Sequence, residues 1–434
     1  MEQAAKLKCN FVVLKIASRC NLNCSYCIMY NVGDDTYKKQ PKVMSDKTVD
    51  ALLNRIKTHC LEHKINVFDF SFHGGEPLLA GPEFFIKFTQ KVKEILPPHI
   101  QVSYTLQTNG ILISDEWCDL FARLDIFIAV SLDGTPEAND KFRVDHAGRG
   151  SYNAIVNGLK TAQNSKTLNY SPNILSVINV ESDPIEVYNH FKSLGVQSVD
   201  FILPHKVHDS KPLSLYERNL NAEETPYGDW LIAIFNQWFY EKKPRPEIRF
   251  FDVIIACILG MDVPFEYLGG QKNEILVIET NGGIEAVDSL KACGNGFTKN
   301  GVNVLTHDID DALENELAQV YSMSHQLLCK QCSCCPIKNV CGGGFLPDRY
   351  SKENGFNNPS VYCQDLTKII THIQNAIIGC LKPADRADLE IKQLTYLDVR
   401  NSIINKMNVT ADPIYLPILE QFRQLDPAYE KNIA

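Results

Sequence analysis

The sequence has no apolar run approaching the ~18 residues that span a bilayer, and its polar Met-Glu-Gln-Ala-Ala-Lys start is not a secretory signal. Both absences predict a soluble cytoplasmic protein with no membrane partner. It also lacks a surplus of positive charge. Against 43 basic residues stand 52 acidic ones, a net charge of −9, so no global field would gather phosphates and a nucleic-acid partner is not expected. The H-E-x-x-H pattern of metalloproteases is missing, and no recognisable leader-binding domain is expected ahead of the first strand. What the chain has in excess is cysteine, 15 in 434 residues. Disulfides are rare in a reducing compartment, so clustered thiols point to metal sites. Three lie in one loop near the start and six between Cys329 and Cys363. Cys9, Cys60, Cys118, Cys257 and Cys380 are scattered in apolar or helical contexts and read as small buried hydrophobes.

The first cluster, in Ser18-Arg-Cys-Asn-Leu-Asn-Cys-Ser-Tyr-Cys, spaces Cys20, Cys24 and Cys27 as C-x3-C-x2-C. Three convergent thiolates can hold an iron-sulfur cluster by three irons and leave the fourth for another ligand. A zinc knuckle with a distant fourth ligand, or a C-x-x-C redox pair with a bystander thiol, are the alternatives. Neither accounts for the third thiol at this offset after the apolar run Phe11-Val-Val-Leu-Lys-Ile, which reads as a buried strand.

Strands and helices then alternate. Ser45 caps a helix to about Glu62, and Asn66-Val-Phe-Asp-Phe-Ser-Phe72 is a strand ending in His73-Gly-Gly-Glu-Pro77. Helix 81–95, strand 102–107, helix 115–124, strand 126–131, helix 152–163, strand 174–180, helix 186–194, strand 199–203 and helix 227–240 follow. Six such units predict parallel strands with right-handed crossovers in an incomplete barrel. The expected fold is α/β: a partial (β/α)6 TIM-type barrel over 1–245, a linker helix over 246–265, a smaller α+β iron-sulfur auxiliary domain over 266–366 and a helical C-terminal tail over 367–434. Chemistry gathers at the C-terminal ends of such strands. There sit the cysteine loop, Gly74-Gly-Glu-Pro, Gln107-Thr-Asn-Gly110 and Ser131-Leu-Asp-Gly134. Each alone is also ordinary turn chemistry.

In this order after the cysteine loop, with Tyr26 just before its last cysteine, these motifs resemble the radical S-adenosylmethionine (SAM) family over about the first half of the chain. The resemblance implies a 4Fe-4S cluster bound with S-adenosyl-L-methionine, held by Cys20, Cys24 and Cys27 and cleaved to a deoxyadenosyl radical. It implies Glu76 with the Gly74 and Gly75 backbone at the methionine amino group, Ser131 at the ribose, Tyr26 and Leu203 at adenine, and Arg143 at the carboxylate. A plain surface salt bridge is the other reading of Arg143.

Beyond an apolar helix from about Arg249 to Leu259, a hairpin is expected, with Ile275-Leu-Val-Ile278, a Thr280-Asn-Gly-Gly turn and Ile284 to Val287. Cys332, Cys335 and Cys341, spaced C-x2-C-x5-C, and Cys363 downstream supply four thiolates. Zinc competes for such a set. This half resembles the SPASM auxiliary-cluster domain of radical enzymes that act on peptides. Where that domain's first cluster needs cysteines the chain has Gly270, Val287 and Phe345, so one auxiliary 4Fe-4S cluster is expected. Cys329 and Cys334 are extra thiols, and Cys293 stands alone. Asp288 falls where sulfatase-maturing relatives carry a proposed base and is the candidate catalytic residue, with a turn or capping carboxylate as the alternative.

The motifs Ile16-Ala-Ser-Arg-Cys20, His73 to Gly81 and Gly342 to Cys363 look most like a subgroup that joins aromatic rings to nearby side chains, giving cyclophanes. Expected partners are a ribosomally made precursor peptide and an external electron donor of the flavodoxin or ferredoxin type. Formylglycine formation in a sulfatase, and a non-catalytic iron-sulfur scaffold or electron carrier, are the alternatives. The tail reads as helices 366–381 and 385–407, which could pack on the barrel or help bind a leader.

Overall fold

Alternating apolar residues build the first strands. In β2 (Val67–Gly74) Phe68, Phe70 and Phe72 are fully buried while the residues between them are not, so one face of the strand carries aromatic rings and the other the polar Asp69, Ser71 and His73. Phe70 and Phe72 meet Phe85 and Phe88 from helix Pro82–Ile95. The computed structural model describes residues 6–212, 217, 224–384 and 393–424. Helix Asp46–His63 starts as expected at Ser45, whose side chain accepts from the Thr48 N–H, a cap worth ~1 kcal/mol.

Two compact units comprise the chain. The first contains Met1–Val177, His190–Ile202 and Glu274–Ser322; the second contains Ile178–Asn189, Leu203–Asn273 and Met323–Ala434. Strands β1 (Phe11–Ala17), β2, β3 (Gln101–Thr108), β4 (Ile126–Ser131), β5 (Asn173–Val177) and β6 (Ser198–Ile202) pair in sequence order, all parallel. The sheet is open, as six units rather than eight predict. A short strand, β7 (Glu247–Ile248), falls in the second unit.

The expected hairpin forms, but not in a separate auxiliary domain. β8 (Ile275–Ile278) pairs in parallel with β1, Phe11 opposite Ile275, and β9 (Ile284–Glu285) runs antiparallel to β8. An apolar β1 needs both edges hydrogen-bonded, and Ile275-Leu-Val-Ile278 supplies the second. Residues 274–322 therefore belong to the first unit.

In the second unit, helix Arg249–Ile258, expected as a linker, packs on helix Cys363–Cys380, which also packs on helix Pro226–Tyr240. The Gly228 N–H donates to Asp365 at 2.9 Å, and a Cβ at Gly228 would stand 2.9 Å from the Asp365 carbonyl oxygen. Of the second expected tail helix, Tyr396–Met407 is present, while 385–392 lies outside the described residues. No helix among the described residues is long and apolar enough to cross a membrane.

Candidate functional site

The cysteine loop leaves the C-terminal end of β1 and is laced to two other segments. Asn23 N–H donates to Val144 O and Ser25 N–H to Phe142 O, at 2.8 and 3.0 Å. That pairing brings Arg143 to the loop. From the other side, Gly75 N–H donates to Ala17 O and Glu76 N–H to Arg19 O, at 2.8 and 2.9 Å. The approach is too close for side chains. A Cβ at Gly74 (φ 140°) would lie 2.1 Å from Ala17 O, and one at Gly75 would lie 2.0 Å from the Tyr30 hydroxyl. The two glycines are therefore dictated by contact with the loop, not by turn formation alone.

Glu76 is completely buried. Its Oε1 accepts from Leu78 N–H at 3.0 Å and Thr108 Oγ1 at 2.8 Å, and Oε2 from Asn109 N–H at 2.8 Å. Burial raises its carboxyl above the ordinary value and these donors oppose the rise. A carboxylate has about four acceptor sites, so most of Glu76 is committed to holding the Thr108-Asn-Gly110 turn. The Asn109 amide reaches back to Asn21 at 2.7 Å and to Cys20 Sγ at 3.8 Å.

Tyr26 Oη donates to Asp133 and accepts from Arg143 Nη1, the latter at 2.9 Å. Asp133 Oδ1 accepts from Val177 N–H at 3.0 Å. Arg143 is buried, and its Nε has no partner among the described residues; the Tyr30 hydroxyl is the other such atom beside the loop. A buried N–H without an acceptor is costly, which marks a place for an anion. Ser131 accepts from Gln107 Nε2 at 2.8 Å. Leu203, the first residue of its segment in the second unit, is buried. Burial pushes the Cys20 thiol up to about 12 and Cys27 up to about 11, and raises Cys24, where Arg143 opposes it. Metal binding here releases protons.

In the second unit one cavity is lined by Cys332, Cys335, Cys341 and Cys363, the four thiols expected together. Cys363 Sγ accepts from Gln331 Nε2 at 3.7 Å. Cys329 hydrogen-bonds Cys332, which lowers the Cys329 thiol and raises that of Cys332. Phe345, where the SPASM resemblance calls for a cysteine, stacks on Tyr267 at 4.4 Å.

Residues 14–200 match the model of the Radical SAM superfamily. They form a radical SAM domain. The chain is 27% identical over 371 residues to the cysteine-type anaerobic sulfatase-maturating enzyme of Clostridium novyi, covering 82% of this chain and 92% of that one. Its fold is similar to that of native anSMEcpe with bound AdoMet and Kp18Cys peptide (TM-score 0.72, 23% identity, 85% of this chain and 98% of that one). It is also similar to Streptococcus suis SuiB bound to precursor peptide SuiA (TM-score 0.50, 15% identity, 78% and 72%).

The residues present fit the 4Fe-4S cluster and S-adenosyl-L-methionine of a radical SAM domain, with three thiols in one loop and an orphaned guanidinium N–H beside them. The second unit fits one auxiliary 4Fe-4S cluster better than zinc. Tetrahedral zinc at ~2.3 Å from sulfur needs thiolates ~3.8 Å apart. Among the described residues the only trio of His, Cys, Asp or Glu ligand atoms within 4.8 Å of one another is His59, His63 and Asp310. No three thiols are that close.

That trio is itself a poor metal site. His59 Nε2 accepts from Cys9 N–H at 3.1 Å, so Nδ1, the atom facing Asp310, carries the proton and has no lone pair for a metal.

Asp288, the candidate base, is bonded to Lys15 Nζ, which lies 2.8 Å from His73 Nδ1. Lys15 is fully buried. Its charge holds the Asp288 carboxyl well below the usual range against the effect of burial. Asp133 and Asn109 fall within motifs named from the sequence but carried no role of their own there, and Lys15 was not singled out. A lysine inside the apolar run of β1 was the available signal for Lys15.

Proposed function

We propose that the chain is a radical SAM enzyme that matures a peptide or protein by taking a hydrogen atom from a side-chain carbon, the surplus electron passing to the auxiliary cluster. The observation that carries this reading is the presence in one chain of an open three-thiol loop and a separate cavity lined by four thiols. When bound, the first cluster with S-adenosyl-L-methionine supplies the one-electron chemistry that generates a carbon-centred radical. The chain's own residues bind and orient. Cys20, Cys24 and Cys27 hold the cluster, and Cys332, Cys335, Cys341 and Cys363 the auxiliary one. The free Arg143 Nε suits the methionine carboxylate. Gly74, Gly75 and the remaining acceptor site of Glu76 suit its ammonium, with Ser131 at the ribose and Tyr26 beside adenine. Asp288 is the proposed base. Its ion pair with Lys15 keeps it charged at neutral pH, so it takes a proton only transiently.

The finer reading that the comparisons support best is oxidation of a cysteine or serine side chain to formylglycine, because the Clostridium novyi relative is named for sulfatase maturation and is matched over most of both chains. Cross-linking of an aromatic ring to a neighbouring side chain is the second reading. It is favoured by the Tyr267–Phe345 stack, which stands where a further cluster would need a cysteine. A flavodoxin- or ferredoxin-type donor would supply electrons to either, in a reducing cytoplasm that suits fifteen free thiols.

Reconstituted protein with S-adenosyl-L-methionine and a strong reductant is expected to release deoxyadenosine; none from a fully loaded protein would support the scaffold reading instead. Mass spectrometry of a co-expressed candidate substrate then separates the finer readings. A hydrazide-reactive aldehyde identifies formylglycine, whereas loss of two hydrogen atoms without an aldehyde identifies a cross-link.

A further inference from the structure

Arg349 is among the largest fully buried side chains in the molecule, and every one of its donors goes to a backbone carbonyl. Nε donates to Gly343 O at 2.9 Å, Nη1 to Ser324 O at 2.8 Å and Leu327 O at 3.2 Å, and Nη2 to Gly342 O and Gly344 O, both at 2.7 Å. The cage is made by Gly342-Gly-Gly344, three successive residues at φ 59°, 79° and 73°. Side chains are excluded there. A Cβ at Gly342 would lie 2.0 Å from Gly269 O, and one at Gly343 would lie 2.9 Å from Arg349 Cζ.

Carbonyls satisfy hydrogen bonds but do not neutralise a cation, and an uncompensated buried charge costs several kcal/mol. Among the described residues no carboxylate forms an ion pair with Arg349. The adjacent Asp348 is turned to the backbone N–H of Lys206, and burial pushes its carboxyl well above the usual carboxylate range, towards the neutral form. Gly343, whose carbonyl accepts from Arg349 Nε, lines the same cavity as Cys332, Cys335, Cys341 and Cys363, and the guanidinium charge acts on Cys332 and Cys341 of that set as well as on Asp348. The caging loop also leads directly from Cys341.

We propose that Arg349 is the counter-charge of the auxiliary cluster, a positioning residue whose fixed cation is balanced by the thiolates of the four-thiol site. This rests on those thiols holding an iron-sulfur cluster. A cubane with four thiolates is a net anion and becomes more so on reduction, so a caged guanidinium beside the four-thiol cavity favours both loading and the reduced state. A guanidinium fits this cage better than an ammonium, because its fork fills five carbonyls at once, although either cation supplies the charge.

The test uses the full chain carrying Cys20→Ala, Cys24→Ala and Cys27→Ala, so that iron, sulfide and electron paramagnetic resonance report the second site alone. In that background Arg349→Met should lower the midpoint potential, reduction becoming about tenfold less favourable at fixed potential (~59 mV for one electron). Arg349→Lys, which keeps the charge, should stay near the parent. Thermal unfolding of iron-free and iron-loaded forms completes the cycle, with Arg349→Met expected to lose more stability in the loaded form than in the iron-free form. Equal losses in both forms with an unchanged potential would overturn the proposal in favour of a plain backbone clamp, and so would equal shifts in the Lys and Met variants. Should Arg349→Met fail to fold, Arg349→Gln against Arg349→Lys reads the same difference. A parent that retains no iron when reconstituted would remove the four-thiol reading and this proposal together.

Discussion

The two thiol centres handle charge in different ways. The first sits in a loop pinned by backbone bonds to Ala17, Arg19, Phe142 and Val144, with a titratable network of Tyr26, Asp133 and Arg143 beside it, and leaves an N–H of Arg143 unused. The second surrounds a cavity with four thiols next to a guanidinium whose donors are all spent on carbonyls. An open site keeps hydrogen-bonding capacity for something that arrives. A closed site needs only its ligands and a fixed charge. The difference lies in the two arginines: among the described residues Arg143 has an N–H without a partner at the first centre, and every Arg349 N–H has one at the second.

The largest expected effect tests this division directly. Cys24→Ala should abolish deoxyadenosine release, while Cys335→Ala should retain release and stop peptide product. Equal tolerance of both substitutions would break the comparison.

Next in size is Gly75→Ala, which puts a Cβ against the Tyr30 hydroxyl and 2.3 Å from the Arg19 carbonyl oxygen. Overpacking of this kind costs ~1–3 kcal/mol, read as a lower urea midpoint, and cofactor cleavage should fall with it. Parental stability would mean that the loop is not pinned as described. Glu76→Gln should cost ~1–3 kcal/mol, because turning the amide either way sets a donor against a buried donor on Thr108, Leu78 or Asn109.

A smaller effect follows pH. Burial and Lys15 push His73 down to about 3, so the folded chain keeps it neutral while the unfolded chain protonates it near 6.5. The unfolded state then binds more protons, and stability falls as pH drops from about 6.5 towards 3, by up to ~1.4 kcal/mol per unit. His73→Gln should flatten that slope in part, the depressed His59 and His325 supplying the rest. The depressed Asp288 carboxyl adds stability that is lost only at pH below ~4. A slope indifferent to His73→Gln would locate the acid sensitivity elsewhere. Smallest is Ser45→Ala, which removes the cap of helix Asp46–His63 at ~1 kcal/mol without touching either centre.

Much of the first unit was legible because burial repeats along the chain. Phe68, Phe70 and Phe72 announce a strand with one buried face, and Ser45 announces a helix start. The four auxiliary thiols were legible by spacing. The partners of β8 were not: Ile275-Leu-Val-Ile278 reads as half of a hairpin, and nothing local says that its free edge pairs with β1, some 260 residues earlier. Glu76 was expected to face a ligand, yet most of its acceptor sites hold its own chain. Asp288 carried no sign of Lys15.

By itself the sequence determined the element order, the two sets of thiols and the glycines beside them, since these depend on residue type and short spacing. Only the tertiary structure decided which polar groups are satisfied and which are not. Among the described residues Arg143 keeps a free N–H, Arg349 keeps none, and Asp288 is tied to Lys15, because the partners of a buried polar group come from segments that sequence distance does not relate.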